Sequence, residues 1–140
     1  MRKFKFMVSL LLILLCLIGA GCSDKNTSSV LSDAIPENIT RIEASGYYNG
    51  ELSPWELTQI EIEELNTWIS QLSLKHRTYG ERESPNWIYN GGISCNFNIN
   101  DGELSFNWVY IDKAYIFYDE EWYEITNTST PPLNLAGPGM

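Results

Sequence analysis

The sequence predicts an α+β fold, an antiparallel β-meander of about four to five strands packed on one amphipathic helix. Three observations carry this expectation. Ile93–Asn100 and Leu104–Ile111 alternate side chains with period two, as strands with one buried face do. Thr58 to Leu72 instead repeats its apolar residues at helical spacing. Turn dipeptides, Asn49-Gly50 and Asp101-Gly102, punctuate the short segments. The composition sets the frame: 140 residues, 9 Lys+Arg against 18 Asp+Glu, a formal charge of −9, 44% hydrophobic and 13% aromatic. That length suits one domain, and the apolar content is too high for a disordered chain. The shortage of basic residues argues against a nucleic-acid partner, which would need clustered Lys and Arg.

The chain opens with Arg2, Lys3 and Lys5, its only charges before Asp24. Phe6 to Ile18 is apolar except for Ser9 and is followed by Gly19-Ala20-Gly21-Cys22. A basic start, a short apolar run and small residues make residues 1–21 a signal peptide. The run is too short to span a bilayer, which takes about 20 apolar residues. Residues 22–34, rich in Ser, Asp, Asn and Thr, read as a flexible tether. Residues 35–128 form the single α+β domain. Residues 129–140, with Thr130-Pro131-Pro132 and Ala136-Gly137-Pro138-Gly139, read as a loose tail.

Within the domain, Ile39–Tyr48 reads as a first strand. Thr58 and Glu61 then form a capping box, and Ile62, Leu65, Ile69 and Leu72 one apolar stripe. A helix from about Leu57 to Ser73 follows from these, with Glu61, Glu63 and Glu64 near its positive end. Leu74–Tyr79 is a strand leading into a polar loop, Gly80–Gly92. The meander comes next: Ile93–Asn100, Leu104–Ile111, Tyr115–Tyr118 and Trp122–Ile125.

Side chains that could carry chemistry are sparse. Asn96 to Gly102 echoes a calcium loop, but counting from Asn96 puts Asp101 where the glycine belongs and Asn107 where the bidentate glutamate belongs. A structural metal would need more soft or imidazole ligands than His76 and Cys95 provide. His76, between Lys75 and Arg77, reads as a surface residue. Cys95 falls on the inward parity of its strand and reads as an inert small hydrophobe. No Gly-x-Ser-x-Gly is present, and one histidine would have to serve any triad alone. The expectation is therefore a domain with no cofactor, no metal and no catalytic residue. An envelope-acting hydrolase using carboxylates, or an immunity or inhibitor protein, remains the alternative.

The aromatic residues say more. Core packing accounts for Trp68, Trp108 and Trp122. Trp87 and Tyr89 stand in the polar loop Ser84-Pro85-Asn86-Trp87-Ile88-Tyr89-Asn90-Gly91-Gly92. Exposed rings in such a loop mark a partner or a sugar, while a loop folded back so that Trp87 plugs the sheet edge fits equally well. The candidate binding face joins Trp87 and Tyr89 to the polar strand positions Asn96, Asn98 and Asn107.

Gly19-Ala20-Gly21-Cys22 resembles the lipobox of bacterial lipoproteins, although Gly19 stands where Leu is usual and Ile18 lies one step earlier. The resemblance implies cleavage after Gly21 and a diacylglyceryl thioether on Cys22, the double acyl anchor that stable membrane attachment requires. Cys95 would then be the sole thiol of the mature chain, with no disulfide possible. Pro54-Trp55-Glu56-Leu57-Thr58, Gly91-Gly92 and Trp122-Tyr123-Glu124-Ile125-Thr126-Asn127 ahead of Pro131-Pro132 are similar to small lipoproteins of low-GC Gram-positive bacteria. That resemblance implies location on the extracytoplasmic face of the cell membrane and a small envelope domain. It transfers no catalytic residue. The partners so implied are the membrane, through the lipid on Cys22, and an envelope protein or glycan. Cleavage removes three of the nine basic residues, leaving six against eighteen acidic ones, or −12. Such a domain is repelled by anionic lipid, so the lipid holds it and the tether keeps it off the surface.

Overall fold

The computed structural model describes residues 29–48, 51–80, 83–85, 92–127 and 130–135. Seven strands form one antiparallel sheet: β1 (Ile42–Tyr48), β2 (Glu51–Glu56), β3 (Leu74–Arg77), β4 (Ile93–Ile99), β5 (Leu104–Tyr110), β6 (Ala114–Tyr118) and β7 (Glu121–Ile125). Among the described residues two helices accompany it, α1 (Val30–Ala34) and α2 (Gln59–Ser70). The fold is thus mostly β with some helix, and it has more strands than the four to five the pattern suggested. Their spatial order is β2-β1-β4-β5-β6-β7-β3. The meander β4 to β7 forms the middle as expected, each strand beside the next.

The surplus strands lie at the edges. β2 includes Pro54, which argues against a strand, but β2 pairs on one side only and a missing N–H on the outer side breaks no ladder bond. The Asn49-Gly50 turn lies outside the described residues. After β2 the chain enters α2, which leads to the opposite edge, where β3 pairs with β7. The helix therefore connects the two edges across one face.

That face holds the core. Ile42, Ala44, Cys95, Phe97, Ile99, Leu104, Phe106, Trp108, Ile116, Tyr123 and Ile125 join Ile62, Leu65, Trp68, Ile69 and Leu72 from α2 and its C-terminal end in one buried cluster. Phe97 and Phe106 stack with centroids 4.9 Å apart. The capping box is formed: Thr58 donates its N–H to Glu61 Oε2 at 2.8 Å, and the N–H of Glu61 donates to Thr58 Oγ1 at 3.4 Å. At the other end Asn127 accepts from the Ser73 N–H at 2.7 Å and donates to the Gln71 carbonyl at 2.6 Å. A distant side chain thus terminates the helix a turn before Ser73, the end its apolar stripe suggested.

The ends of the domain extend past the expected limits. Val30–Ala34, within the segment read as tether, is helical, and Leu31 is 1% exposed in the core. Val30 and Ala34 pack against the same core beside Leu31, but five residues are too short a helix for a periodic signal. In the segment read as a loose tail, Pro131 is buried and Leu133 and Leu135 pack against the core. Among the described residues no helix is long and apolar enough to cross a membrane.

Candidate functional site

The second face of the sheet is turned away from both helices, and the strand register sets its content. Pairing runs Pro54↔Ser45↔Asn96↔Asn107↔Phe117↔Trp122↔Arg77, one side chain from each of the seven strands. Residues paired across an antiparallel ladder share a face, so these seven form a row spanning about 30 Å at the usual strand spacing. Asn98 and Ser105 lie opposite one another in the next row, the Ser105 hydroxyl donating to Asn98 Oδ1 at 3.5 Å.

The structure brings together the three asparagines expected to bind. Asn96 is exposed, whereas Asn98 and Asn107 are half-buried. Asn107 differs from the others because its Oδ1 is buried without a hydrogen-bond partner. Trp87 and Tyr89, the other two expected binding residues, lie outside the described residues.

An aromatic cluster continues the asparagine file. Trp122 has Phe117 at 4.8 Å, with Tyr115 and Tyr79 edge-on at 6.4 Å each. Phe117 is exposed. Trp122, expected in the core, instead stands half-buried on this second face. Four successive apolar residues, Tyr115 to Tyr118, blur the parity that would have revealed it. Val109, on the same face, is fully buried yet separate from the main core. Both faces thus carry apolar surface, one as the main core and the other as a patch.

Charged groups close the patch on the β3 side. Glu124 accepts from Lys113 Nζ at 3.0 Å and from Arg77 Nε at 2.8 Å, with Arg77 Nη2 also in contact. Lys113 foremost, and then Arg77, hold the Glu124 carboxyl below the usual carboxylate range. Burial pushes the Tyr79 hydroxyl up to about 12, aided by Tyr115. Burial likewise raises Tyr115, with Asp112 and Glu124 adding to the effect. These phenols stay protonated near neutral pH, and a side-chain hydrogen bond joins them.

His76 is exposed and pairs with Glu121, its ring edge-on to Tyr123 at 5.5 Å. Cys95 is fully buried, and burial pushes its thiol up to about 12. A thiol so protonated is a poor nucleophile. Among the described residues no group of three or more His, Cys, Asp and Glu could hold a metal ion. No family model, curated protein or solved structure matches the chain. The functional reading therefore rests on this chain's own residues.

Proposed function

We propose that the protein is a lipid-anchored protein of the extracytoplasmic face of a bacterial membrane and acts as a binding domain for an envelope component. The anchor is Cys22, and its support is the basic, apolar and small-residue order of the first 22 residues. The binding reading is carried by one observation, the cross-sheet row in which Ser45, Asn96 and Asn107 run into Phe117 and Trp122 on the face away from the helices. Neutral amides donate and accept at once, and aromatic rings offer flat apolar surface. That pairing suits a neutral glycan better than a charged polymer, and the overall acidity disfavours polyanions. A hydrolase would need a carboxyl group ready to give up a proton near neutral pH. Glu124, held ionised between two cations, suits a structural counter-ion instead.

Two measurements test the reading separately. Incorporation of a fatty-acid probe should vanish in Cys22→Ala, and labelling that persists refutes the anchor. A soluble form beginning at Ser23, which keeps Leu31 and Leu135, should co-sediment with insoluble peptidoglycan. Phe117→Ala and Trp87→Ala should each weaken that binding several-fold. Binding indifferent to Phe117→Ala removes the sheet face from the site, and binding indifferent to Trp87→Ala removes the loop.

A further inference from the structure

A second surface, on the helical side of the molecule, has the features of a peptide groove. Ile60, Glu63, Glu64, Thr67, Trp68 and Gln71 from α2 and its C-terminal end face Pro132 across an open groove of about 410 Å³. The residues of α2 that enter the core are Ile62, Leu65, Trp68 and Ile69. Ile60 belongs to a different side of the helix and is 69% exposed, the most exposed large hydrophobic residue described. Trp68 is 7% exposed, yet its indole N–H is buried with no acceptor. A buried donor left unmet is uncommon in folded proteins and asks for an explanation.

The rim has one sign of charge. Residues 59–70 contain Glu61, Glu63 and Glu64 and no Lys or Arg. Among the described residues Glu63 and Glu64 make no ion pair; Glu63 meets only Gln59, at 3.4 Å, and the Thr67 hydroxyl at its backbone carbonyl. The groove thus joins the exposed Ile60 to two carboxylates that have no ion pair among the described residues, and it runs along Trp68, whose indole N–H is buried without an acceptor. From Ile60 to Gln71 it follows about 16 Å of helix, the reach of about five extended residues.

We propose that this groove binds a short, extended, cationic peptide segment of another protein. Its apolar side chain covers Ile60 and Trp68, and its Lys or Arg residues pair with Glu63 and Glu64. A small turn of the Trp68 ring toward the groove on binding brings its buried indole N–H to a backbone carbonyl of the segment, the acceptor it lacks. An extended segment fits this last requirement better than a helical one, because a helix engages its own carbonyls. The acidity of the whole domain draws such a segment in. The site is separate from the sheet face and stands whether or not that face binds glycan.

The test uses the soluble chain from Ser23 and an N-acetylated, labelled Lys-Leu-Lys-Leu-Lys peptide, with Glu-Leu-Glu-Leu-Glu as control. Anisotropy at fixed ionic strength should show binding of the basic peptide only. Glu63→Gln with Glu64→Gln should weaken it about tenfold, whereas Asp119→Asn with Glu120→Gln, in the turn between β6 and β7, should change it less than about twofold. The Trp68 indole N–H resonance should move on binding, and Trp68→Phe, which removes that donor, should weaken binding several-fold. Four results overturn the proposal. They are equal losses from the two charge-neutralised pairs, an indole resonance that stays in place, equal binding of the acidic peptide, and a dimer of this chain that Ile60→Glu dissolves. The first marks unspecific attraction, and the last makes a second copy the occupant.

Discussion

Leu135 lays its backbone carbonyl oxygen against Gly46, in the space that a Cβ at position 46 would need. Gly46 lies in β1 between the core residue Ala44 and the end of the strand, with Trp55 of β2 also near. The glycine is therefore what lets the C-terminal segment close over this corner of the core. Gly46→Ala should force that carbonyl away and cost about 1–3 kcal/mol, the usual penalty for overpacking. Chemical denaturation measures it. Ending the chain at Thr130 removes Pro131, Leu133 and Leu135 and should itself lower stability. In that shortened chain Gly46→Ala should cost little, and an undiminished cost would place the clash elsewhere.

Glu124 joins three elements: β7, which carries it, β3 through Arg77, and the turn before β6 through Lys113. Its side chain is only 12% exposed. Glu124→Gln should cost about 1 kcal/mol, because the cations keep weaker partners and stay partly solvated. The pH dependence has a definite sign. A carboxyl whose folded pKa lies below its ordinary 4.5 contributes stability that is complete above that value. The contribution is lost as the pH falls through the lower folded value. The stability gap between wild type and Glu124→Gln should thus be level near neutrality and shrink only in acid. A gap that shrinks above pH 6 would implicate another group.

Asn100 is the hub of the turn between β4 and β5. Its Oδ1 accepts from the Thr40 N–H at 2.9 Å, the Thr40 hydroxyl at 3.1 Å and the Arg41 N–H at 3.4 Å. Its Nδ2 donates to the Asn38 carbonyl and to Glu103, each at 2.8 Å. The backbone here is left-handed, with φ of 48° at Asn100, 57° at Asp101 and 104° at Gly102. Asn100→Ala loses the bonds and keeps the strain, so it should cost about 2–3 kcal/mol by calorimetry. Asn100→Gly relieves the strain alone and should cost about 1 kcal/mol less. Equal losses would mean that the backbone conformation, and not the amide, is the cheaper part of the turn.

The legible parts of this fold were those with a local cause. The capping box at Thr58 and Glu61, the stripe through Ile62, Leu65 and Ile69, and the alternation from Ile93 to Tyr110 each act within a few residues. What was hidden depends on partners far along the chain. Pro54 reads as a strand breaker until β2 is known to be an edge, and Leu31 reads as tether until the core it fills is in place. Asn127 shortens a helix that its own sequence would continue to Ser73. The candidate site divides in the same way. Parity put Asn96, Asn98 and Asn107 on one face, but only the pairing of β5, β6 and β7 joins them to Phe117 and Trp122. The apolar run at Tyr115–Tyr118 has no parity to read.

Asn107 is where stability and binding should part company. Its neighbours in the row are Asn96 and Phe117, and its Oδ1 is buried without a donor. A buried acceptor without a partner costs about 1–3 kcal/mol of desolvation. Replacing it by valine removes the orphan atom and places a β-branched side chain on a central strand, where such residues fit well. Asn107→Val should therefore raise the unfolding free energy by about 1 kcal/mol. The same change should weaken retention on peptidoglycan, because it breaks the amide file between Asn96 and the aromatic patch. Asn96→Ala, exposed on the same row, supplies the contrast: binding should fall while stability stays within about 0.5 kcal/mol. A destabilised Asn107→Val would show that the amide serves the fold, and a sheet face needing Asn107 only for packing would lose its strongest polar group as a ligand contact. Stabilisation together with weaker binding would identify a residue that lowers stability in the service of recognition.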